Sequence, residues 1–202
     1  METSPQSEVL SDHELMLAVR DGDISLLGEL FERHHRALYG FFVNLTGQRT
    51  VSEDLVQQVF YRILKYRHTY RDKGKFTTWM YHLGRRVAFD HYHKSNKFPS
   101  SMEEADGLNE LPDQNPHAAE HASLQDDLAL MRKALAEMPL ESRELLSLHR
   151  FQHLSHEELA SIYDCSVGAV KVRVHRALQC LRDTFFRLQA RGDTAGLPSS
   201  HP

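Results

Sequence analysis

Cysteine is almost absent from this chain, with only Cys165 and Cys180 among 202 residues. They form neither a CxxC pair nor a zinc-like spacing, so a disulfide framework and a zinc ribbon are excluded. A reducing, cytoplasmic address is the expectation for such a chain. Long apolar runs are missing too, and none approaches the ~20 residues needed to cross a bilayer. The opening METSPQSEVLSDHE has no basic n-region and no apolar h-region, so no signal peptide is expected. No stretch alternates cleanly at period two, and no Asn-Gly or Asp-Gly signal sits between β-branched runs, which argues against a sheet.

Catalytic signatures are also lacking. There is no GxSxG, no P-loop and no Rossmann fingerprint. The 14 histidines invite a metal or enzymatic reading. His156-Glu157-Glu158-Leu159-Ala160 starts like HExxH, but Ala160 stands where the second histidine is needed. His91 and His93 are two apart on a helical pattern and point to different faces, and adjacent His34 and His35 chelate poorly. Surface histidine is therefore the reading. No metal, no cofactor and no enzymatic activity are expected.

What the chain does have is helical periodicity and segregated charge. Hydrophobic residues make up 41%, enough for packed cores, and the formal net charge is −4. The average hides the distribution. Residues 61–98 hold ten Lys/Arg against two acids, residues 99–129 hold eight acids and no Lys/Arg, and residues 165–191 hold six Lys/Arg against Asp183. Two basic segments flank an acidic one, and local charge decides where a phosphate backbone can sit.

Apolar residues from Leu15 to Leu45 keep helical spacing, broken at Asp21-Gly22-Asp23. Ser52 reads as the cap of a helix over 52–67, in which Leu55, Val56, Val59, Phe60, Ile63 and Leu64 form one buried stripe. After the loop YRDKGKF, Trp79, Met80, Leu83, Val87 and Ala88 predict a helix over 77–94. A stretch rich in Pro, Ser, Asn and acids follows and reads as a flexible linker. Helical periodicity then returns to about Leu188, with a break at Met138-Pro139. The expected fold is all-α. It comprises a disordered tail at 1–11, one small helical domain at 12–97, a linker at 98–122, a second domain at 123–190 and a disordered tail at 191–202.

The second domain contains SHEELASIYDCSVGAVKVRVHRALQCLR, from Ser155 to Arg182. Ser155 and Glu158 form a capping box. Small or polar residues at 164–166 allow a tight turn, and Ser166 can cap the next helix. Val167, Val170, Val174, Leu178 and Leu181 line one face of that helix. The opposite face carries Gly168, Ala169, Val172, His175 and Arg176, with Lys171 and Arg173 on the flanks. Small residues permit close approach to a major groove, and cations grip phosphates. A helical hairpin with solvated arginines fits the same pattern.

The run MPLESRELLSLHRFQHLSHEELASIYDCSVGAVKVRVHRALQCLRD resembles the promoter-reading domain of the sigma-70 family, and the short chain resembles its extracytoplasmic-function (ECF) group. The first domain agrees: SEDLVQQVFYRILKYRHTY is similar to the family's core-polymerase-binding helix and FTTWMYHLGRRVAFDHYHK to the helix facing the −10 element. Both halves stand in the family's order, over about residues 12–187. The chain departs from the common pattern at Arg86, His153, Tyr163-Asp164 and Val172, which bear on promoter sequence rather than on membership.

The resemblance implies a sigma factor that is not itself an enzyme. Its partners would be bacterial RNA polymerase core, promoter DNA and an anti-sigma factor, and its signal an envelope or other stress. Glu53, Asp54, Gln57, Gln58 and Arg62 would dock on the clamp of the largest catalytic subunit. Tyr66, Tyr70, Arg71, Lys73, Lys75, Phe76, Trp79, Arg85, Arg86, Tyr92 and Lys94 would face and melt −10 DNA, where aromatic platforms and cations offset the cost of unstacking a base. Trp79 and Phe76 have a strong rival reading as core residues, and Tyr70 and Tyr92 read equally as core or surface. Ser166, Gly168, Ala169, Lys171, Val172, Arg173, His175 and Arg176 would read −35 DNA. The acidic linker would enter the polymerase's active-site and RNA-exit channels. Two rivals stand beside this reading: a DNA-binding regulator that never engages polymerase, and a metal-dependent enzyme built on the histidines.

Overall fold

A computed structural model describes residues 10–95 and 118–195, the side chains of 95, 118–125 and 192–195 aside. Residues 1–9, 96–117 and 196–202 lie outside the described residues, and with them most of the expected tails (1–11 and 191–202) and linker (98–122); the last five residues of the expected linker, 118–122, are helical. Among the described residues eight α-helices run in the order α1 (Asp12–Asp21), α2 (Leu27–Thr46), α3 (Arg49–Tyr66), α4 (Phe76–Ser95), α5 (Ala118–Glu137), α6 (Leu140–Leu146), α7 (His156–Tyr163) and α8 (Val167–Ala195). No strand occurs among the described residues.

Local chemistry sets most boundaries. Ser11 and Glu14 close a capping box on α1, and Gly22, at φ 124°, stops it at the predicted break. Gly47, at φ 69°, ends α2. The helix that follows starts at Arg49, three residues before the expected cap. Ser52 lies inside α3, fully buried, and its hydroxyl donates to the Gln48 carbonyl (2.6 Å) and meets Thr46 Oγ1 at 2.9 Å. A serine bonded back to i−4 is a helix-interior device, not a cap. At the other end of the chain, α8 continues to Ala195, past the expected boundary at 190.

Helices α1 to α4 bury Leu15, Met16, Leu30, Leu38, Phe41, Phe42, Leu55, Val59, Ile63, Met80 and Val87 in one core. That core does not stop at the domain boundary. Leu145, Leu148, Leu154, Leu159 and Ile162 from the second domain belong to the same cluster, because α6 packs on α2 and α7 on α4. A second small cluster, Met138, Leu146 and Ala177, joins α5, α6 and α8. The π-helical turn Ser147–Phe151 leads to His153, at φ 54°, and then to α7. His is among the non-glycine residues that adopt this left-handed region more often than most.

The join between domains is polar as well as apolar. Leu45, in the last turn of α2, has a carbonyl that no residue of its own helix can satisfy. It accepts from Tyr92 Oη of α4 (2.9 Å) and from Arg143 Nη1 of α6 (2.9 Å). Arg143 is only 3% exposed, and its other terminal nitrogen donates to the carbonyls of Met138 (3.1 Å) and Ala136. One guanidinium thus caps α5 and pins α6 to α2. Burial pulls the pKa of Arg143 below the usual arginine value, with Tyr92 acting the other way.

Candidate nucleic-acid interface

Helix α7, a turn and α8 form a helix-turn-helix. Ser155 and Glu158 make the capping box that starts α7, and Asp164, at φ 48°, ends it in the left-handed region. Short polar side chains tolerate that region better than β-branched ones. Ser166 then accepts from the Ala169 amide (3.1 Å) at the start of α8. Val170, Val174 and Ala177 are buried against the neighbouring helices. The opposite face is open: Ser166, Gly168, Lys171, Val172, Arg173, His175 and Arg176 are exposed, and Ala169 is half-buried. Val172 is 50% exposed and carries no hydrogen-bonding group, so it offers this face a purely apolar contact.

A second surface lies between the end of α3 and the start of α4. Arg62, Tyr66, Arg71, Lys73, Trp79 and Arg86 line a cavity of about 540 Å³. Tyr66, Arg71, Lys73, Lys75, Arg86 and Lys94 are exposed, and Trp79 is half-buried. Tyr70, Phe76 and Tyr92 are packed away instead, at 4%, 2% and 6% exposure. The Tyr70 hydroxyl bonds His13 Nδ1 (2.8 Å) while its ring meets Phe76 and Trp79 edge-on. Burial raises its phenol pKa, and pushes that of Tyr92 up to about 12. His82, on the cavity wall, is held below the ordinary histidine value by burial and then by Arg86 and Arg85.

Arg85 is spoken for. Its Nε donates to Glu144 Oε1 (2.6 Å), its Nη1 to the Ile162 carbonyl (3.1 Å), and its guanidinium lies 3.9 Å from the centroid of the Tyr163 ring. Burial pushes the Glu144 carboxyl up, against the pull of Arg85. Lys75 reaches Glu158 of α7 at 3.0 Å, and Tyr81 Oη donates to Gln152 Oε1 at 2.8 Å. Ser161 and Ile162 of α7 complete the wall of the cavity.

A third surface is the outer face of α3. Glu53, Asp54, Gln57 and Gln58 are exposed together. Beside them Phe31, His35, Arg36 and Tyr39 of α2 form a hollow of about 330 Å³ with Glu53 and Gln57. Arg62 does not join this group; it turns toward α4 and pairs with Asp90 at 2.5 Å. Tyr61, 65% exposed on the polar side of α3, escaped the sequence reading, although an aromatic outside the apolar stripe was the available signal. Glu144, Gln152 and Tyr163 escaped it too, and their roles depend on a partner domain that spacing does not reveal. Among the described residues no group of three or more His, Cys, Asp or Glu could hold a metal ion, and no helix is long and apolar enough to cross a membrane.

Family models match both halves of the chain: Sigma-70 region 2 over residues 30–98 and Sigma-70 region 4 over residues 128–181. The chain belongs to the ECF group of the sigma-70 family. As a member it is a transcription-initiation factor that directs RNA polymerase in response to signals. The RNA polymerase sigma-H factor of Pseudomonas aeruginosa is 26% identical over 178 residues, 84% of this chain and 91% of that protein. The ECF sigma factor SigX of Bacillus subtilis is 27% identical over 161 residues, 76% of this chain and 80% of that one. Among solved structures, CnrH in complex with the cytosolic domain of CnrY superposes with a TM-score of 0.61 at 20% identity, covering 85% of this chain and 95% of CnrH. RpoE bound to the anti-sigma factor NepR from Bartonella quintana gives 0.59 at 22% identity, covering 78% of this chain and 94% of RpoE. The two structural likenesses speak to the fold of this ECF factor.

Proposed function

We propose a division of labour for this sigma factor over the three surfaces. The observation that supports it best is their separation on one chain: an amide and carboxylate face on α3, a cationic and aromatic cavity between α3 and α4, and an exposed basic face on α8. Glu53, Asp54, Gln57 and Gln58 dock on the polymerase clamp, where rigid carboxylates and amides match basic and polar partners. The cavity takes an unstacked non-template base, with Tyr66 and Trp79 as stacking surfaces and Arg71, Lys73, Lys75 and Arg86 on the strand. Lys171, Arg173 and Arg176 grip −35 phosphates while Val172 and His175 meet base edges. Arg62 and Tyr92 support the site from within the fold, through Asp90 and Leu45.

The protein acts in the cytoplasm, where polymerase and chromosome are. An anti-sigma factor is its natural inhibitor, since RpoE was solved in complex with one. A lone DNA-binding regulator would have no use for an open polar face on α3.

The test is a footprint of reconstituted holoenzyme on its promoters, with permanganate to mark unpaired thymines. Protection at −35 and reactive thymines at −10 are expected. Trp79→Ala should remove the reactivity and keep the −35 protection. Protection at −35 by the chain alone, unchanged by core polymerase and without melting, would refute the assignment.

A further inference from the structure

Helix α1 belongs to none of the three surfaces, and it precedes residues 30–98, over which the region 2 model matches. It is nonetheless firmly placed. Leu15, Met16 and Val19 are fully buried, and Asp12 ties the helix to Arg33 (2.8 Å) and His34 (2.7 Å) of α2. His13 and Arg20 stand seven positions apart, about two turns, so both side chains leave α1 on one side. Both reach the segment that walls the cavity. His13 Nδ1 meets the Tyr70 hydroxyl at 2.8 Å, and Arg20 Nη1 donates to the Tyr70 carbonyl (3.5 Å) and to Asp72 Oδ1 (2.6 Å). Tyr70 is thus held at its phenol and at its backbone.

The segment 70–75 has little else to fix it. It forms no helix or strand, its three cations Arg71, Lys73 and Lys75 repel one another, and only Tyr70 is buried. The Tyr70 ring lies edge-on to Trp79, centroids 5.2 Å apart, and Trp79 is half-buried on the cavity wall. A line of contacts therefore runs from α1 through Tyr70 to the ring assigned to stack a base.

We propose that α1 positions the −10 cavity: His13 and Arg20, acting through Tyr70 and Asp72, set the placement of Trp79 and of the cations at 71–75. Both are positioning residues, and the proposal rests on the assignment of the cavity to −10 DNA given above. The Arg20–Asp72 tie is a poor stabiliser of the fold. The Asp72 side chain is 70% exposed and Arg20 also pairs with Asp21 (2.8 Å), and a surface pair of this kind adds little to folding. What it does is select one loop arrangement. Charge alone pulls the other way, since removing a carboxylate from a basic loop favours nucleic acid. Weaker promoter opening in Asp72→Asn therefore carries the sign of positioning and not of electrostatics.

The experiment has two arms. Trp79 is the single tryptophan of the chain, so its fluorescence reports the cavity wall directly. In the free full-length protein, acrylamide quenching of Trp79 should rise in Arg20→Gln, Asp72→Asn and Tyr70→Phe, with thermal unfolding of Asp72→Asn unchanged. In the second arm, reconstituted holoenzyme is footprinted with permanganate. If the freed loop holds its productive arrangement about a tenth to a fifth of the time, reactivity of the −10 thymines falls about five- to tenfold. Protection at −35 should stay as in the wild type. The double variant Arg20→Gln/Asp72→Asn should lose no more than Arg20→Gln alone, because both remove the same contact. Unchanged quenching in Asp72→Asn, opening that is unchanged or raised by it, or −35 protection that falls in step with opening would overturn the proposal. Asp72 is exposed, so loss of folding cannot shelter that result. Wild-type holoenzyme that opens no −10 DNA, with quenching still responding to Asp72→Asn, would instead indict the assignment of the cavity and leave the placement of Trp79 by α1 standing.

Discussion

Replacing Arg143 with methionine tests how the two domains are pinned. The guanidinium is 3% exposed and donates to three carbonyls: Leu45, Met138 and Ala136. Methionine keeps the aliphatic packing and removes all three bonds. Leu45 O retains the Tyr92 hydroxyl, so it is not orphaned. The carbonyls of Ala136 and Met138 lose their guanidinium partner, at about 1–3 kcal/mol per buried acceptor. Removing a buried charge returns part of that, since burial already disfavours the charged form of Arg143. The net expectation is a loss of about 2–3 kcal/mol, or a fall in Tm of about 5–10 °C for a chain of this size. Arg143→Lys should fall in between, because one ammonium cannot fork to three carbonyls. Thermal unfolding followed by far-UV circular dichroism reads both. A shift of under about 2 °C for Arg143→Met would refute the claim that this side chain holds α5, α6 and α2 together.

Other consequences are equally open to measurement. Arg173→Ala should weaken duplex binding by holoenzyme about uniformly across promoters and reduce the salt slope by about one, read by titrations at several ionic strengths. Val172→Asn should change which bases are selected at −35 rather than overall affinity, because an apolar side chain reads a thymine methyl and an amide does not; selection from a randomised −35 pool checks it. Glu158 is pushed up by burial, but the Ser155 amide, Lys75 and the Ser155 hydroxyl together hold it below the ordinary carboxylate value of 4.5. A group depressed in the folded state stabilises above its unfolded pKa and loses that contribution as pH falls through the folded one. Unfolding midpoints should therefore drop below about pH 4.5, and Glu158→Gln should flatten that drop.

Helices and their breaks were legible in the sequence wherever a local cause sets them. Asp21-Gly22, Pro139 and the Ser155–Glu158 box act within a few residues, and α1, α6 and α7 begin or end there. Ser52 was misplaced because the same hydroxyl that caps a helix also bonds back inside one, and Gly47 supplied the true break one turn earlier. The exposed face of α8 followed from periodicity, since Val170 and Val174 had to be buried and their opposites were left outside. Aromatics mixed with cations were less informative. Tyr70, Phe76 and Tyr92 sit among basic residues yet pack inward, and only the third dimension separates them from Tyr66. Arg85 looked free because Glu144 lies 59 positions away in another domain. Domain closure is carried by pairs of this kind, and no spacing rule exposes them.

The central claim is that this chain, by two faces on two domains, makes core RNA polymerase promoter-specific. Run-off transcription with purified core polymerase across fragments of the host genome tests it directly, with Asp54→Ala and Arg173→Ala alongside. The account predicts initiation at discrete sites that is lost or sharply reduced in each variant while both remain folded. Sequence-specific DNA binding without any initiation, or initiation indifferent to Asp54, would contradict it.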